Sequence, residues 1–298
     1  MDKQIAMFQG CGTALVTPFQ KNGSLDEAAL RRLVRRQIEA GIHFLVPVGT
    51  TGESPTLSLE EHLRVVEIVV AEANGQVPVL AGAGGYWTDD VIDLIERIEK
   101  LGVDGILSVT PYYNRPTQEG LYQHYKALAK ATRLPIILYS VQGRTGVNIE
   151  PATVKRLAAI RNIIGIKEAS GSMAQVARIV NEVPEGFLVL SGDDSVTIPL
   201  MALGGHGVIS VVANQIPGEM ANLAEACLNQ DFGTARAIQR HYLPLMEVNF
   251  IESNPIPVKA SLALMGLCKP VWRLPLVPPS APSLDKIQAV MAQVGIAK

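Results

Sequence analysis

Short apolar runs alternate with longer amphipathic stretches along the whole chain. The apolar runs fall at 12–16, 44–48, 77–81, 105–109, 135–139, 163–167, 187–191 and 207–212. Each is too short for a typical helix and too continuous for a strand with one wet face. Such runs read as strands buried on both sides. Between them, apolar residues recur at helical spacing. Leu30, Leu33, Val34 and Ile38 mark one face of 25–40, and Leu63, Val66, Val70 and Ala73 mark one face of 59–73. At 88–101, Thr88 stands as a cap ahead of Asp89 and Asp90 in the first turn.

Strands alternating with helices predict a parallel sheet with helical crossovers. Eight strands is the count of a (β/α)8 barrel, which typically needs about 250 residues. A helical pattern at 217–228 completes the eighth unit. Further patterns follow at 234–246, 257–265 and 283–294, the last led in by Pro275, Pro278, Pro279 and Pro282. The expectation is an α/β protein: a TIM barrel over 1–230 carrying the active site, with a C-terminal helical appendage over 231–298. A doubly wound open sheet is the alternative.

Composition narrows the function classes. The chain has 298 residues, 48% hydrophobic, with a formal net charge of −2. That suits one large domain and gives no reason to expect a nucleic-acid or acidic-membrane partner. Residues 1–10 lack the apolar core of a signal peptide, and no apolar run is long enough to span a bilayer. Cys11, Cys227 and Cys268 lie far apart, as small core residues in a reducing cytoplasm would. The histidines (His43, His62, His124, His206 and His241) form no close pair, so no protein-held metal is expected. His206 precedes a strand, the wrong end for catalysis, and reads as structural. Gly82-Ala83-Gly84-Gly85 only loosely imitates a dinucleotide loop and lacks its acidic partner. No cofactor is expected.

Barrel active sites sit at the C-terminal strand ends. Reading those ends alone collects Thr17-Pro18-Phe19, 49–54 (Gly-Thr-Thr-Gly-Glu-Ser), Tyr112-Tyr113, Tyr139, Lys167 and 191–194. Lys167 closes an apolar run, and burial disfavours the charged form of an amine. A neutral lysine amine attacks a ketone to form an imine, which then serves as its own electron sink. The plain competing reading is an ion pair with Glu168. Thr50 and Thr51 can cradle a carboxylate, or can belong to an ordinary turn. Tyr139 can be an acid or a packed aromatic. Arg144, in a glycine-flanked loop, can fork onto a carboxylate or remain solvated. Glu60 and Glu61 read as the acidic first turn of a solvated helix.

Together, Thr17-Pro18-Phe19 and the motifs at 49–54, 109–116, 139–146, 165–168, 190–194, 204–210 and 254–259 resemble the dihydrodipicolinate synthase family. That family lies within the pyruvate-dependent class I aldolases that include N-acetylneuraminate lyase, and the resemblance spans nearly the whole chain. It implies a barrel with a C-terminal helical domain, assembled as a homotetramer or homodimer, condensing pyruvate with L-aspartate 4-semialdehyde in lysine and diaminopimelate biosynthesis. It implies that Lys167 forms the imine and that Tyr139 donates and accepts protons beside it. Thr50 would link Tyr139 to Tyr113 from a neighbouring subunit. Thr51 would hold the pyruvate carboxylate, Arg144 the carboxylate of the aldehyde, and Gly192 and Ile209 would line the pocket.

Two departures from the family pattern stand out. Ser140 and Gln142 replace the family's Asn and Pro before Arg144, which bears on the aldehyde substrate. Tyr86 and Trp87 replace small and amide-bearing residues of the family's lysine-inhibition pocket, with Asp90 in place of a glutamate, while His62 matches. Their bulk is expected to fill the room a lysine needs. The competing functions are a sister aldolase or dehydratase acting on a sugar acid or other 2-keto acid, and a non-catalytic keto-acid sensor.

Overall fold

The computed structural model describes residues 6–296. Its centre is eight parallel strands: β1 (Gly10–Ala14), β2 (Phe44–Val46), β3 (Leu80–Gly82), β4 (Gly105–Val109), β5 (Ile136–Ser140), β6 (Ile163–Glu168), β7 (Leu188–Ser191) and β8 (Gly207–Ser210). They pair in the order β2-β1-β8-β7-β6-β5-β4-β3. The gap between β2 and β3 is bridged from Leu45 N–H to the Pro78 carbonyl at 2.9 Å and from Gly82 N–H to the Pro47 carbonyl at 3.0 Å. The sheet therefore closes into a barrel, and the open-sheet alternative falls. β3 begins later than its apolar run because Pro78 has no N–H for a ladder. The run at 12–16 overshoots β1 because Leu15 and Val16 are buried beyond the end of the paired segment.

Among the described residues, nine α-helices follow the strands: α1 (Glu27–Glu39), α2 (Leu59–Ala73), α3 (Thr88–Glu99), α4 (Gln118–Ala131), α5 (Gln142–Thr145), α6 (Pro151–Ala158), α7 (Met173–Glu182), α8 (Thr197–Ala202) and α9 (Pro217–Leu228). Asp26 caps α1 by accepting from Ala29 N–H, and Ser58 and Glu61 form a reciprocal capping box on α2. At α3 the expected cap is displaced. Trp87 occupies the cap position and makes no side-chain bond, while Thr88 Oγ1 lies 3.0 Å from His124 Nδ1. The acidic pair Asp89 and Asp90 remains to favour that helix start.

Three helices follow the barrel: α10 (Phe232–Val248), α11 (Ile256–Leu264) and α12 (Ala281–Gln293). α11 buries Val258 and Leu262 against Val16, Leu33 and Val211, at the mouth end of β1 and β8. Each such side chain contributes about 1.5–3 kcal/mol by leaving water. Inside the barrel, alternate residues of the strands meet: Phe44 and Val46, Ile137 and Tyr139, Leu188 and Leu190, with Ile209. Among the described residues, no helix is long and apolar enough to cross a membrane.

Candidate active site

Strand alternation decides what Lys167 can do. Successive side chains on β6 point to opposite faces. Lys167 faces the interior and is 5% exposed, with Nζ 4.2 Å from the centroid of the Tyr139 ring. Glu168 faces the helices. Its Oε1 accepts from Gln175 Nε2 at 2.9 Å and from Ser170 N–H at 3.2 Å. Burial pushes the Glu168 carboxyl above its ordinary value, against these hydrogen bonds. The Lys167–Glu168 ion pair of the competing reading is absent, and Lys167 makes no ion pair with any described residue. Tyr139 and Lys167 are register partners across β5 and β6, which is why the ring and the amine meet.

Gly192 leaves room for that amine. A Cβ there would sit 2.6 Å from Ala169 Cβ and 3.3 Å from Lys167 Cε, so any side chain would push on the lysine. Ile209 is fully buried in the same interior cluster as Tyr139.

A cavity of about 430 Å³ opens over this end of the barrel, lined by Gly49, Thr50, Tyr112, Tyr139, Val141, Arg144 and Thr145 among others. Lys167 lies behind the Tyr139 ring and is not among the lining residues. The structure thus brings Thr50, Tyr139 and Arg144 to one cavity. Within the single chain it does not bring Tyr113 there. Tyr113 is 92% exposed and has a backbone φ of 67°, strained for a tyrosine. No hydrogen bond joins Thr50 to Tyr139 among the described residues.

Arg144 is not on a loose loop. Gln142–Thr145 form the short helix α5, held by Thr145, whose hydroxyl bonds Thr110 Oγ1, the Val141 carbonyl and the Val147 carbonyl. Arg144 reaches across to donate from Nη2 to the Asn254 carbonyl at 3.0 Å. Ser140 points away from the mouth. Its hydroxyl donates to Asn148 Oδ1 at 3.2 Å and accepts from Ile149 N–H at 3.1 Å. Ser140, which departs from the family pattern, is not among the residues that line the cavity.

The turn at 49–54 is held from below. Thr17 donates to the Gly52 carbonyl at 2.6 Å. Thr51 is buried, and its Oγ1 accepts from Asn254 Nδ2 at 2.9 Å. Glu53 forms a fully buried ion pair with Lys259 at 2.5 Å, with Phe19 packed 4.4 Å from the ammonium. Burial pushes the Lys259 ammonium below its ordinary value, against the pull of Glu53. Glu61 is more than a solvated first turn: it caps α2 and pairs with Arg273 at 2.5 Å. Asn254 and Lys259 carried no role in the sequence, because their partners lie some two hundred positions away. The only sequence signal was their place in a motif at 254–259.

The far side of the cavity reaches Ser54, Leu59, His62 and Gly84. His62 Nε2 lies 3.0 Å from the Gly82 carbonyl, which can only accept, so the proton is on Nε2. Burial holds the His62 ring below its ordinary value. Tyr86 and Trp87 are 57% and 56% exposed and line none of this space, so the expectation that their bulk fills it is corrected. Tyr86 instead meets Tyr112 edge to face at 5.6 Å. His206 is structural, its Nδ1 accepting from Val189 N–H at 3.2 Å.

Comparison with known proteins agrees with this architecture. Residues 7–294 match the dihydrodipicolinate synthetase family. The chain is 51% identical over 291 residues to the 4-hydroxy-tetrahydrodipicolinate synthase of Koribacter versatilis, covering 97% of each chain. A structure of dihydrodipicolinate synthase from Acinetobacter baumannii complexed with pyruvate superposes with a TM-score of 0.95 at 43% identity, covering 97% of this chain and 99% of that one. A dihydrodipicolinate synthase from Cyanidioschyzon merolae with lysine bound superposes with a TM-score of 0.94 at 38% identity, covering 97% and 99%. The chain belongs to the dihydrodipicolinate synthetase family.

Proposed function

We propose that this chain is a 4-hydroxy-tetrahydrodipicolinate synthase, a lyase of lysine and diaminopimelate biosynthesis acting in the cytoplasm on pyruvate and L-aspartate 4-semialdehyde. The observation that carries the reading is Lys167, buried, paired with no carboxylate among the described residues and 4.2 Å from the Tyr139 ring. The division between barrel and C-terminal helical domain falls near residue 230, after α9.

The Lys167 amine attacks the ketone carbon of pyruvate, and water leaves as the imine forms. The imine withdraws electrons, so a methyl proton can depart to give an enamine. The enamine carbon adds to the aldehyde of the second substrate. That substrate's own amine then displaces Lys167 and closes the ring, so one water is lost overall and no external cofactor takes part. Tyr139 is the group placed to carry protons at the imine. A free phenol is a poor base, with a pKa near 10, so it needs a hydrogen-bonded relay. Thr50 and a partner subunit's tyrosine at position 113 would supply that relay, in a homotetramer or homodimer. The 92% exposure of Tyr113 in the single chain supports that arrangement.

Thr51 would hold the pyruvate carboxylate and Arg144 the aldehyde's carboxylate, with Gly192 and Ile209 shaping the space around the imine. Among the described residues, Arg144 is the one charged residue lining the cavity, which suits anionic substrates. The same preference would accommodate another 2-keto acid or a sugar acid, so the aldehyde is the part to test. Borohydride with pyruvate should trap a covalent adduct on Lys167, and a coupled reductase assay should show turnover with L-aspartate 4-semialdehyde. Trapping without that turnover would move the chain to a sister aldolase. No adduct, or one on another lysine, would reject the imine.

A further inference from the structure

Asn254 touches both groups proposed to hold substrate carboxylates. Its side-chain Nδ2 donates to Thr51 Oγ1 at 2.9 Å, and its backbone carbonyl accepts from Arg144 Nη2 at 3.0 Å. Asn254 is 5% exposed and Thr51 3% exposed, so water does not compete for the first of these bonds. The residue comes from the segment leading into α11, 203 positions from Thr51 and 110 from Arg144.

The direction of the Thr51 bond matters. A hydroxyl has one proton and two lone pairs, whereas a carboxylate only accepts. A threonine that holds a carboxylate must donate to it. With Asn254 Nδ2 donating into Thr51 Oγ1, a lone pair is used and the proton stays free. No described residue accepts that proton. The geometry therefore leaves Thr51 as a donor awaiting an acceptor.

The position is also stiff. Lys259 lies five residues beyond Asn254 and is locked to Glu53, two residues beyond Thr51. The start of α11 and the 49–54 turn are thus tied at two points, so Asn254 cannot drift from Thr51 without breaking a buried ion pair. Its carbonyl, meanwhile, holds the guanidinium of an exposed arginine. One bond of the Arg144 guanidinium is spent on that anchor, and the remaining donors of the fork stay available.

We propose that Asn254 is a positioning residue for both substrates: its amide sets the Thr51 hydroxyl as a donor to the pyruvate carboxylate, and its backbone carbonyl aims Arg144 at the carboxylate of the aldehyde. This rests on the functional reading above. The two roles separate by chemistry, because a side-chain substitution removes the amide and keeps the carbonyl.

The test uses Asn254→Ala and Asn254→Asp in the full chain, each alone and with Thr51→Val. The primary readout is the pyruvate concentration at half-maximal borohydride trapping on Lys167, which needs no second substrate. Both variants should raise it about tenfold or more, with the KM for pyruvate following. The KM for L-aspartate 4-semialdehyde should stay within about threefold with Asn254→Ala, which keeps the Arg144 anchor and adds no charge. In the Thr51→Val background, either substitution should add less than about twofold, since the hydroxyl it orients is gone. Asn254→Asp preserves side-chain shape and serves if Asn254→Ala does not fold. Wild-type trapping with an unshifted half-saturation in the variants would overturn this inference alone. So would an undiminished effect on top of Thr51→Val, or an equal rise in both KM values with a lowered melting temperature. Absence of a wild-type adduct would instead overturn the functional reading, and this inference with it.

Discussion

The Lys259 ammonium lies 2.5 Å from the Glu53 carboxylate with both side chains wholly out of water. The pair joins α11 to the turn that carries Thr50 and Thr51, so the C-terminal helices act on the mouth of the barrel rather than merely packing on it. Phe19 sits against the ammonium, and Arg273 N–H reaches Glu53 Oε2 at 3.4 Å. Glu53 itself is held with a backbone φ of 54°, a left-handed conformation that a glutamate adopts only where its surroundings impose it.

Removing one partner of this pair should cost far more than removing both. Lys259→Met leaves a buried carboxylate uncompensated, which typically costs about 3–5 kcal/mol. Adding Glu53→Gln removes the orphaned charge and should restore part of that loss. Urea denaturation midpoints of the two variants measure the difference. A single variant within about 1 kcal/mol of wild type would show that water reaches the carboxylate, as at an exposed pair.

The Tyr139 hydroxyl is a separate matter from its ring. Tyr139→Phe keeps the ring over Lys167 and loses only the hydroxyl proposed to carry protons. Turnover should fall by about 10²–10⁴-fold, the usual contribution of a positioned acid or base. The KM for pyruvate should change much less, because imine formation holds the keto acid covalently. Steady-state kinetics with borohydride trapping as a control decides the point. A variant within a few-fold of wild type would place the relay elsewhere.

Arg144→Ala should divide the two substrates. The guanidinium stands at the mouth, 3.0 Å from the Asn254 carbonyl. Its loss should raise the KM for the carboxylate-bearing aldehyde by about tenfold or more, the scale of one charge-assisted hydrogen bond. Pyruvate trapping should be nearly unchanged. Equal loss of both would mean that Arg144 serves the fold of α5 rather than the substrate.

How far the sequence revealed this molecule follows from the range of the interactions involved. The eight strands are visible because burial on both faces is written into each run locally. The separation of Lys167 from Glu168 follows from strand alternation, a period-two rule that needs only the strand to be assigned. Asn254 and Lys259 are different. Their partners, Thr51 and Glu53, lie more than two hundred positions upstream, and neither asparagine nor lysine announces a partner by type. The short helix α5 was hidden because its glycine-flanked composition looks like a loop, and what holds it is Thr145 bonding to Thr110 and Val141, just past the ends of β4 and β5. Tyr86 and Trp87 misled for the opposite reason: size alone cannot say whether an aromatic points into a cavity or out of it.

Asp194 gives the protein a pH dependence of opposite sign to the usual carboxylate. It is fully buried, with Oδ2 accepting from Val211 and Val212 N–H and Oδ1 without a partner among the described residues. Burial raises its carboxyl from 3.8 to about 6. Between those values the folded form holds a proton that the unfolded form has released. Stability from this group therefore falls as pH rises through the window, and the penalty is complete above about pH 6. Asp194→Asn does not titrate. Its stability relative to wild type should improve by roughly 2–3 kcal/mol on going from pH 4 to pH 7. Denaturation midpoints for both proteins across that range test it. A constant difference would show that Asp194 is ionised throughout.

L-Lysine should inhibit this enzyme weakly or not at all. The reason is charge, not the steric blockage the sequence implied. The far side of the cavity has open lining at Ser54, Leu59, His62 and Gly84, and the exposed Tyr86 and Trp87 do not occupy it. Yet among the described residues no carboxylate or carboxamide lines the cavity, and its one charged residue is the cationic Arg144. Lysine would bring two ammonium groups and one carboxylate. Unpaired ammonium in a partly dry cavity is costly. His62 offers little relief: its Nε2 is committed to the Gly82 carbonyl, and a single Nδ1 lone pair cannot replace a counter-charge. Asp90 stands outside the lining on the exposed face of α3. Initial rates titrated with millimolar L-lysine at fixed pyruvate should stay within about twofold of the uninhibited rate. Strong inhibition at submillimolar lysine would mean that a second copy of the chain supplies the missing carboxylate, and the same titration on Asp90→Asn would then show whether Asp90 swings in to provide it.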